Sequence, residues 1–202
     1  MKSRSIAQQI VGNNTIEDRI KQRCVIATGD PKFKDLLQFK NNPIENGIAC
    51  IRDESTIYTD INMVKVGISR KREVKCVLDS SRCIAELTKK YGITRTSAGF
   101  IALYKENKLQ DSIIVIGNSP SAAITVYNLV KKGINPRLII ATPVGFVNAA
   151  KSKALIRTLN VPSITCTGTR GGTPVAVAII NELITLAISP HSAIINHQSA
   201  IE

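Results

Sequence analysis

The chain has 202 residues, of which 44% are hydrophobic, so it can form one domain of good size with a real core, or two very small ones. Its apolar runs are too short to span a bilayer, and no charged-then-apolar signal segment opens the sequence. We therefore expect a cytoplasmic protein with no membrane partner.

The charge balance points to an anionic partner. Lys and Arg number 27 and Asp and Glu number 15, which gives a net charge of +12. Such an excess favours nucleic acid, a phosphate ligand or a polycarboxylate. Four Tyr, four Phe and no Trp supply few stacking platforms, and no zinc-finger or RRM signature is present. We therefore expect a small anionic ligand and no nucleic-acid partner.

The cysteines do not predict a disulfide or a metal site. Their number is odd, their spacing is wide, and no CxxC pair occurs. This pattern favours buried free thiols. The five positions are Cys24, Cys50, Cys76, Cys83 and Cys166.

The first part of the chain is predicted to be helical, with breaks. After a short surface helix in residues 1–14, Thr15 followed by two acidic residues marks a helix start. Asp30-Pro31 ends this helix and begins another, because Asp is a good cap and Pro suits the first helical position. Asn42-Pro43 repeats the device.

The middle of the chain alternates strands and helices. Thr56–Thr59 and the alternating Glu73–Leu78 are strand candidates. The basic run Ser69–Arg72 between them is typical of a solvated loop. Helices are predicted over Ser80–Tyr91, with Gly92 as C-cap, and from Thr94 to about Asn107.

From residue 113 onward the alternation is regular. Each short β-branched run precedes a helical segment, and the predicted pairs are 113–116 with 120–132, 138–141 with 148–160, and 163–166 with 174–188. Such alternation predicts a three-layer α/β fold, Rossmann-like, with a mostly parallel sheet between helices on both faces. No linker is visible, so we expect a single domain over 1–190 and a polar tail over 191–202.

Three loops of small residues are the main functional signal. They follow the last three strands and begin at Gly117, Thr142 and Gly168. In a parallel sheet these loops share the carboxyl edge, where backbone N–H groups and helix N-termini suit a ligand with several negative groups. Neither a Walker loop nor a GxGxxG fingerprint is present. On the residues alone, an α/β enzyme for a phosphorylated metabolite fits, although His191 and His197 lie in the tail and no triad can be built.

At these residues the chain resembles the precorrin-8X methylmutase (precorrin isomerase) family of cobalamin biosynthesis. Gly117-Asn118-Ser119-Pro120-Ser121-Ala122 is similar to its GNAPTA stretch, and Pro143–Lys153 is similar to PVGFVGAAESK. Further similar segments are Arg4-Ser5-Ile6, Arg23–Asp30 against RVIHATGD, Asp60–Gly67, Thr94–Ala98 against TRSA, and Gly171-Gly172-Thr173 against Gly-Gly-Ser.

The resemblance implies an isomerase that moves a methyl group between neighbouring carbons of a tetrapyrrole, from precorrin-8 to hydrogenobyrinate or from the cobalt form to cobyrinate. It implies no cofactor, with cobalt present only if the substrate carries it, and no metal site. It also implies a homodimer with the site near the interface, and an acid-rich corrinoid as the ligand. The implied substrate-binding residues are Ser5, Arg23, Thr28, Thr94, Arg95, Gly117, Asn118, Ser119, Ser121, Gly145, Arg170, Gly171, Gly172 and Thr173.

One departure from the family concerns catalysis. Ile26 occupies the position of the histidine in RVIHATGD, and an isoleucine cannot donate a proton. Three explanations stay open: a proton from Arg95, a threonine, the substrate's acids or water; a corrinoid-binding paralogue without catalysis; or another residue in the same space. Arg95 is the catalytic candidate. Lys151 stands where the family usually has Glu, and Arg170 is shifted by one position.

Overall fold

The computed structural model describes residues 2–69, 73–79 and 81–189. Its strands form one sheet in the order β1-β6-β5-β4-β2-β3, and all neighbours are parallel except β1 and β6. The strands are β1 (Leu37–Lys40), β2 (Ile57–Thr59), β3 (Val74–Cys76), β4 (Ile113–Ile116), β5 (Leu138–Ala141) and β6 (Ser163–Cys166). The predicted α/β class with a mostly parallel sheet is confirmed.

Helices connect these strands. They are α1 (Lys2–Val11), α2 (Ile16–Thr28), α3 (Pro43–Arg52), α4 (Asn62–Gly67), α5 (Ser81–Tyr91), α6 (Arg95–Lys105), α7 (Pro120–Lys131), α8 (Ala149–Arg157) and α9 (Thr173–Ile188), with a 3₁₀ turn at Pro31–Asp35. Most predicted bounds agree within two residues, but α8 ends three residues before the predicted position 160.

Helices cover both faces of the sheet. The central strands β4 and β5 are fully buried, as parallel strands between two helical layers must be. Ile113 and Val115 face a core that also contains residues of α2, α3 and α9. Ile114 and Ile116 face a second core formed with α6, α7 and α8. The three-layer arrangement follows from this alternation.

The edge strand β1 was not expected from the sequence. The prediction for the first part of the chain contained helices only, whereas Leu37–Lys40 pairs antiparallel with β6, with Leu37 opposite Cys166. The segment has only four residues, too few for an alternating pattern to stand out. Its strand conformation depends on the hydrogen bonds that β6 offers.

The predicted caps are confirmed in part. Thr15 and Asp18 form a reciprocal capping box, and the Asp30 side chain accepts a hydrogen bond from the Lys32 N–H. Asn42 precedes α3 as expected, but it has a left-handed backbone with φ of 50° and makes no capping hydrogen bond through its side chain.

The cysteines are free, and Cys83 alone is exposed while the other four are buried. None of the described helices has the length and apolar character that a membrane crossing needs. The predicted tail 191–202 with both histidines, and residues 70–72 of the basic run, lie outside the described residues.

Candidate active site

The three small-residue loops meet at the carboxyl edge of the sheet, as predicted. They follow β4, β5 and β6, which run parallel and adjacent. The second and third loops are hydrogen-bonded to each other: the Gly145 N–H donates to the Thr169 carbonyl at 3.0 Å, and the Gly172 N–H donates to the Thr142 carbonyl at 2.6 Å. Gly117 of the first loop packs closely against Thr173. The edge is therefore one continuous surface.

Two glycines are required by this close packing. A Cβ at Gly117 would lie 2.7 Å from Cγ2 of Val64, closer than real side chains approach. A Cβ at Gly171 would overlap the carbonyl oxygen of Thr142, and Gly171 also has a φ of 151°. Both positions thus need glycine for close approach.

Asp60 changes the expected role of the first loop. Its buried carboxylate accepts hydrogen bonds from the N–H groups of Gly117 at 3.1 Å and of Asn118 and Ser119 at 2.8 Å each. Burial raises the pKa of this carboxyl above its ordinary value, although the three N–H donors act in the opposite direction. The expectation that these N–H groups are free for a ligand is wrong, because an internal anion already occupies them.

Beside this loop, hydroxyl groups form a cluster that runs from the buried Ser119 and Thr96 to the exposed Thr94. The Oγ of Ser119 lies 2.8 Å from Oγ1 of Thr96 and 3.0 Å from Oγ of Ser121. Ser121 in turn lies 2.9 Å from Oγ1 of Thr94. The structure thus brings the Thr94 segment to Ser119 and Ser121, two distant parts of the sequence that the resemblance assigned to one site.

Arg95 is the first residue of α6 and follows Thr94 directly, so its exposed side chain starts beside the hydroxyl cluster. This position is compatible with the predicted contact to an anionic ligand.

A buried lysine supports the third loop and was not predicted to take part. Lys153 has 0% exposure, and its Nζ donates to the Arg170 carbonyl at 2.6 Å and lies 3.5 Å from Sγ of Cys166. Burial lowers the pKa of the Lys153 amine and raises the pKa of the Cys166 thiol. Both Asp60 and Lys153 fall inside segments that resemble the family, and this resemblance was the only sign in the sequence that they belong to the site. The sequence did not show that their side chains point into the protein.

Arg170 also joins this loop to the end of α2. Its guanidinium forms an ion pair with the Asp30 carboxylate. The charge of Arg170, expected to serve the ligand, is therefore shared with a protein carboxylate. The pair places the turn after α2 at the same edge of the sheet.

The predicted residues of α1 and α2 lie on the flank of this edge. Arg23 donates through Nε to Glu182 at 2.7 Å, and the Thr28 hydroxyl donates to the Cys24 carbonyl at 2.8 Å. Ser5 is exposed on α1. Ile26 is 40% exposed, whereas Cys24 is in the core and cannot take its place.

A family comparison decides the identity of this arrangement. The family profile described as Precorrin-8X methylmutase matches residues 1–186. The chain belongs to the precorrin-8X methylmutase family. A methylmutase is an isomerase, so the protein is an enzyme of that class.

Individual relatives agree with the family. The chain is 50% identical over 175 residues to the cobalt-precorrin-8 methylmutase of Methanocaldococcus jannaschii, covering 86% of this chain and 81% of the relative. It is 32% identical to the precorrin-8X methylmutase of Pseudomonas aeruginosa, with 83% of each covered. The crystal structure of the precorrin-8X methylmutase from Thermus thermophilus superposes with a TM-score of 0.85 at 27% identity, covering 92% and 93% of the two chains.

Among the residues that the structure describes, no group of three or more His, Cys, Asp or Glu side chains could hold a metal ion. The absence of a cofactor stays a prediction.

Proposed function

We propose that the protein moves a methyl group between neighbouring ring carbons of precorrin-8 or its cobalt form, giving hydrogenobyrinate or cobyrinate in cobalamin biosynthesis. The names of the relatives support this substrate class. The observation that carries the proposal is the match over residues 1–186, which contains all three loops and the Thr94 segment. Migration within one molecule requires no net electron transfer, so we also propose that no cofactor takes part.

The ligand-facing residues of the proposal are those at the carboxyl edge. We expect Arg95 to pair with a substrate carboxylate, and the hydroxyls of Ser119, Ser121 and Thr94 to donate hydrogen bonds to others. The Gly145 and Gly171-Gly172-Thr173 segments would line the macrocycle. The net charge of +12 supports an acid-rich ligand.

The proton donor must be a group other than residue 26. Ile26 has no dissociable side-chain proton, Cys24 is fully buried, and the Thr28 hydroxyl donates to its own helix. Arg95, the exposed Thr94 hydroxyl, the substrate's acids and water stay as candidates. A positioned general acid contributes about 10²–10⁴-fold in rate, so catalysis without one would be slow relative to other methylmutases.

The direct test is conversion of the substrate. Purified protein is incubated with precorrin-8 or its cobalt form, and the visible spectrum is followed. We expect the hydrogenobyrinate-type chromophore to appear. We further expect Ile26→His to raise the rate and the control Ile26→Gln, polar but without a titratable proton, to leave it low. Tight binding without conversion would support a corrinoid-binding paralogue, and no binding would reject both.

We also propose a homodimer with the site near the interface, and the cytoplasm as the location. Support for the dimer comes from large apolar side chains exposed on α4 and on the loop after β5, which follow strands at the carboxyl edge: Met63 (65%), Val66 (77%), Phe146 (95%) and Val147 (77%). Exposed apolar groups gathered on one side of a protein favour association. No nucleic-acid partner is proposed.

A further inference from the structure

Two cavities, one mostly polar and one mostly apolar, are both lined by Ile26. One has a volume of ≈ 280 Å³ and is lined by polar side chains of α1 and α2 and by Glu182 of α9. We call it the arginine pocket; its defining residues are Arg4, Gln8, Arg19, Arg23, Ile26 and Glu182. The other has a volume of ≈ 340 Å³, and we call it the apolar pocket; its defining residues are Ile6, Ala7, Ile10, Val25, Ile26 and Pro31.

The arginine pocket carries excess positive charge. Three arginines and one glutamate among its lining residues give 3 − 1 = +2. The Glu182 side chain is only 2% exposed and uses both oxygens: Oε1 accepts from Arg19 at 2.7 Å, and Oε2 accepts from Arg23 at 2.7 Å. Glu182 thus fixes two guanidinium groups and cannot neutralise the third.

Donor groups remain for a ligand. Arg23 contacts Glu182 through Nε, and 39% of its side chain stays exposed, so part of its guanidinium can contact a ligand. Arg4 has no carboxylate partner among the described residues. The planar guanidinium group of an arginine matches the planar, two-oxygen geometry of a carboxylate.

Ile26 separates these donors from a hydrocarbon surface. Its side chain is 40% exposed and borders both pockets. On the far side, Ile6 is 55% exposed beside the partly buried Ile10. A ligand that fits both pockets at once must carry an anionic group a few bonds away from an apolar edge. Free phosphate meets only the first requirement.

We propose that the arginine pocket binds one carboxylate arm of the corrinoid substrate, and that the apolar pocket across Ile26 holds the neighbouring methyl-bearing edge of the ring. This inference rests on the proposed function and adds Arg4 and Arg19 as determinants of specificity for the acid form of the ligand. Glu182 is a positioning residue, because it acts through the arginines.

Binding of hydrogenobyrinate and of its amidated form, measured by absorbance titration, tests the arginine pocket. Arg4→Gln removes a charge from an exposed side chain and should weaken binding of the acid form about tenfold, since hydrogen bonds to charged groups are the stronger class. The Kd of the amidated form should change less than twofold. Arg19→Gln should behave in the same direction.

A matched control lies on the same helix. Lys21 of α2 pairs with Glu17 and lies over the Phe39 ring, away from the arginine pocket. Lys21→Gln removes the same charge and should change neither Kd by more than twofold. Equal Kd values for Arg4→Gln and Lys21→Gln, in a wild-type protein that converts precorrin-8, would overturn the inference and leave the proposed function intact. Wild-type protein that neither binds nor converts would reject the function first.

The apolar pocket has its own variant. Ile6→Gln places a polar group where the ring edge is expected and should weaken binding of the acid and amidated forms by the same factor, about fivefold. Inorganic phosphate at millimolar concentration should not displace the ligand. An Ile6→Gln protein with unchanged Kd, or displacement by phosphate, would contradict the two-pocket assignment.

Discussion

At the scale of single residues, a buried carboxylate organises the loop after β4. Asp60 accepts three backbone hydrogen bonds from Gly117, Asn118 and Ser119 and is 0% exposed. A helix N-terminus attracts anions, and here the protein supplies that anion itself. The consequence is that the N–H groups of this loop point inward, and the hydroxyls of Ser119 and Ser121 connect the loop to the Thr94 segment.

Replacing Asp60 should loosen this loop. Asp60→Asn leaves one acceptor oxygen for three N–H donors, and we expect about 2 kcal/mol lower free energy of unfolding, since a buried donor without a partner costs about 1–3 kcal/mol. Urea unfolding measures this. The control Asp53→Asn removes an exposed partner of Arg137 and should cost less than about 1 kcal/mol. Equal losses in the two variants would contradict the role given to Asp60.

Arg95 leads to a prediction about ligand charge. Because its side chain begins beside Thr94 and Ser121, Arg95→Ala should weaken binding of the acid-rich corrinoid about tenfold and of its amidated form much less. Titration of both forms by absorbance measures the difference. Equal weakening of the two would show that Arg95 does not pair with a carboxylate.

At the scale of elements, the site depends on loops that pack against each other. The loop after β6 crosses the end of β5, and the Gly172 N–H donates to the Thr142 carbonyl at 2.6 Å. Buried Lys153 of α8 stabilises the same loop, because its Nζ donates a hydrogen bond to the Arg170 carbonyl. An element that carries no predicted ligand contact therefore still shapes the site.

Gly171 is the point at which this packing can be tested. Gly171→Ala should cost about 3 kcal/mol or more, because the added Cβ meets the Thr142 carbonyl and the backbone has a positive φ. Gly133→Ala is the control: its φ is 105°, but a Cβ there would meet nothing within 4 Å. It should cost only about 1–2 kcal/mol. Thermal or urea unfolding of both variants measures the difference, and similar losses would argue against tight loop packing.

At the scale of the whole molecule, the exposed apolar side chains at the carboxyl edge predict association. Phe146 is 95% exposed and Val147 is 77% exposed, on a loop that also borders the candidate site. A second copy placed there would cover this surface and enclose the ligand at the same time.

Light scattering coupled to size-exclusion chromatography measures the state directly. We expect a dimer for the wild-type protein and a monomer for Phe146→Glu, because the introduced charge would be buried without a partner. The control Ile188→Glu changes a 48% exposed side chain at the opposite end of α9, far from the carboxyl edge, and should stay dimeric. A wild-type monomer, or a dimeric Phe146→Glu protein, would contradict the proposed interface.

Local patterns in the sequence determined the class of fold and the edge that carries the site. The apolar runs at 113–116, 138–141 and 163–166 can only be buried between two helical layers, and parallel connections bring their following loops to one edge. The family match over residues 1–186 includes the same segments. These features follow from short-range periodicity and from turn residues, which a sequence displays directly.

Only the tertiary structure decided which groups face the ligand and which face inward. The strand β1 exists because β6 offers hydrogen bonds to it, and neither segment shows this alone. Nothing in the sequence distinguishes Asp60 and Glu182 from other acidic residues. In the fold, Asp60 accepts a hydrogen bond from Gly117, 57 residues away, and Glu182 accepts one from Arg23, 159 residues away. Burial, charge pairing and direction are properties of distant neighbours, so they arise only when the chain is folded.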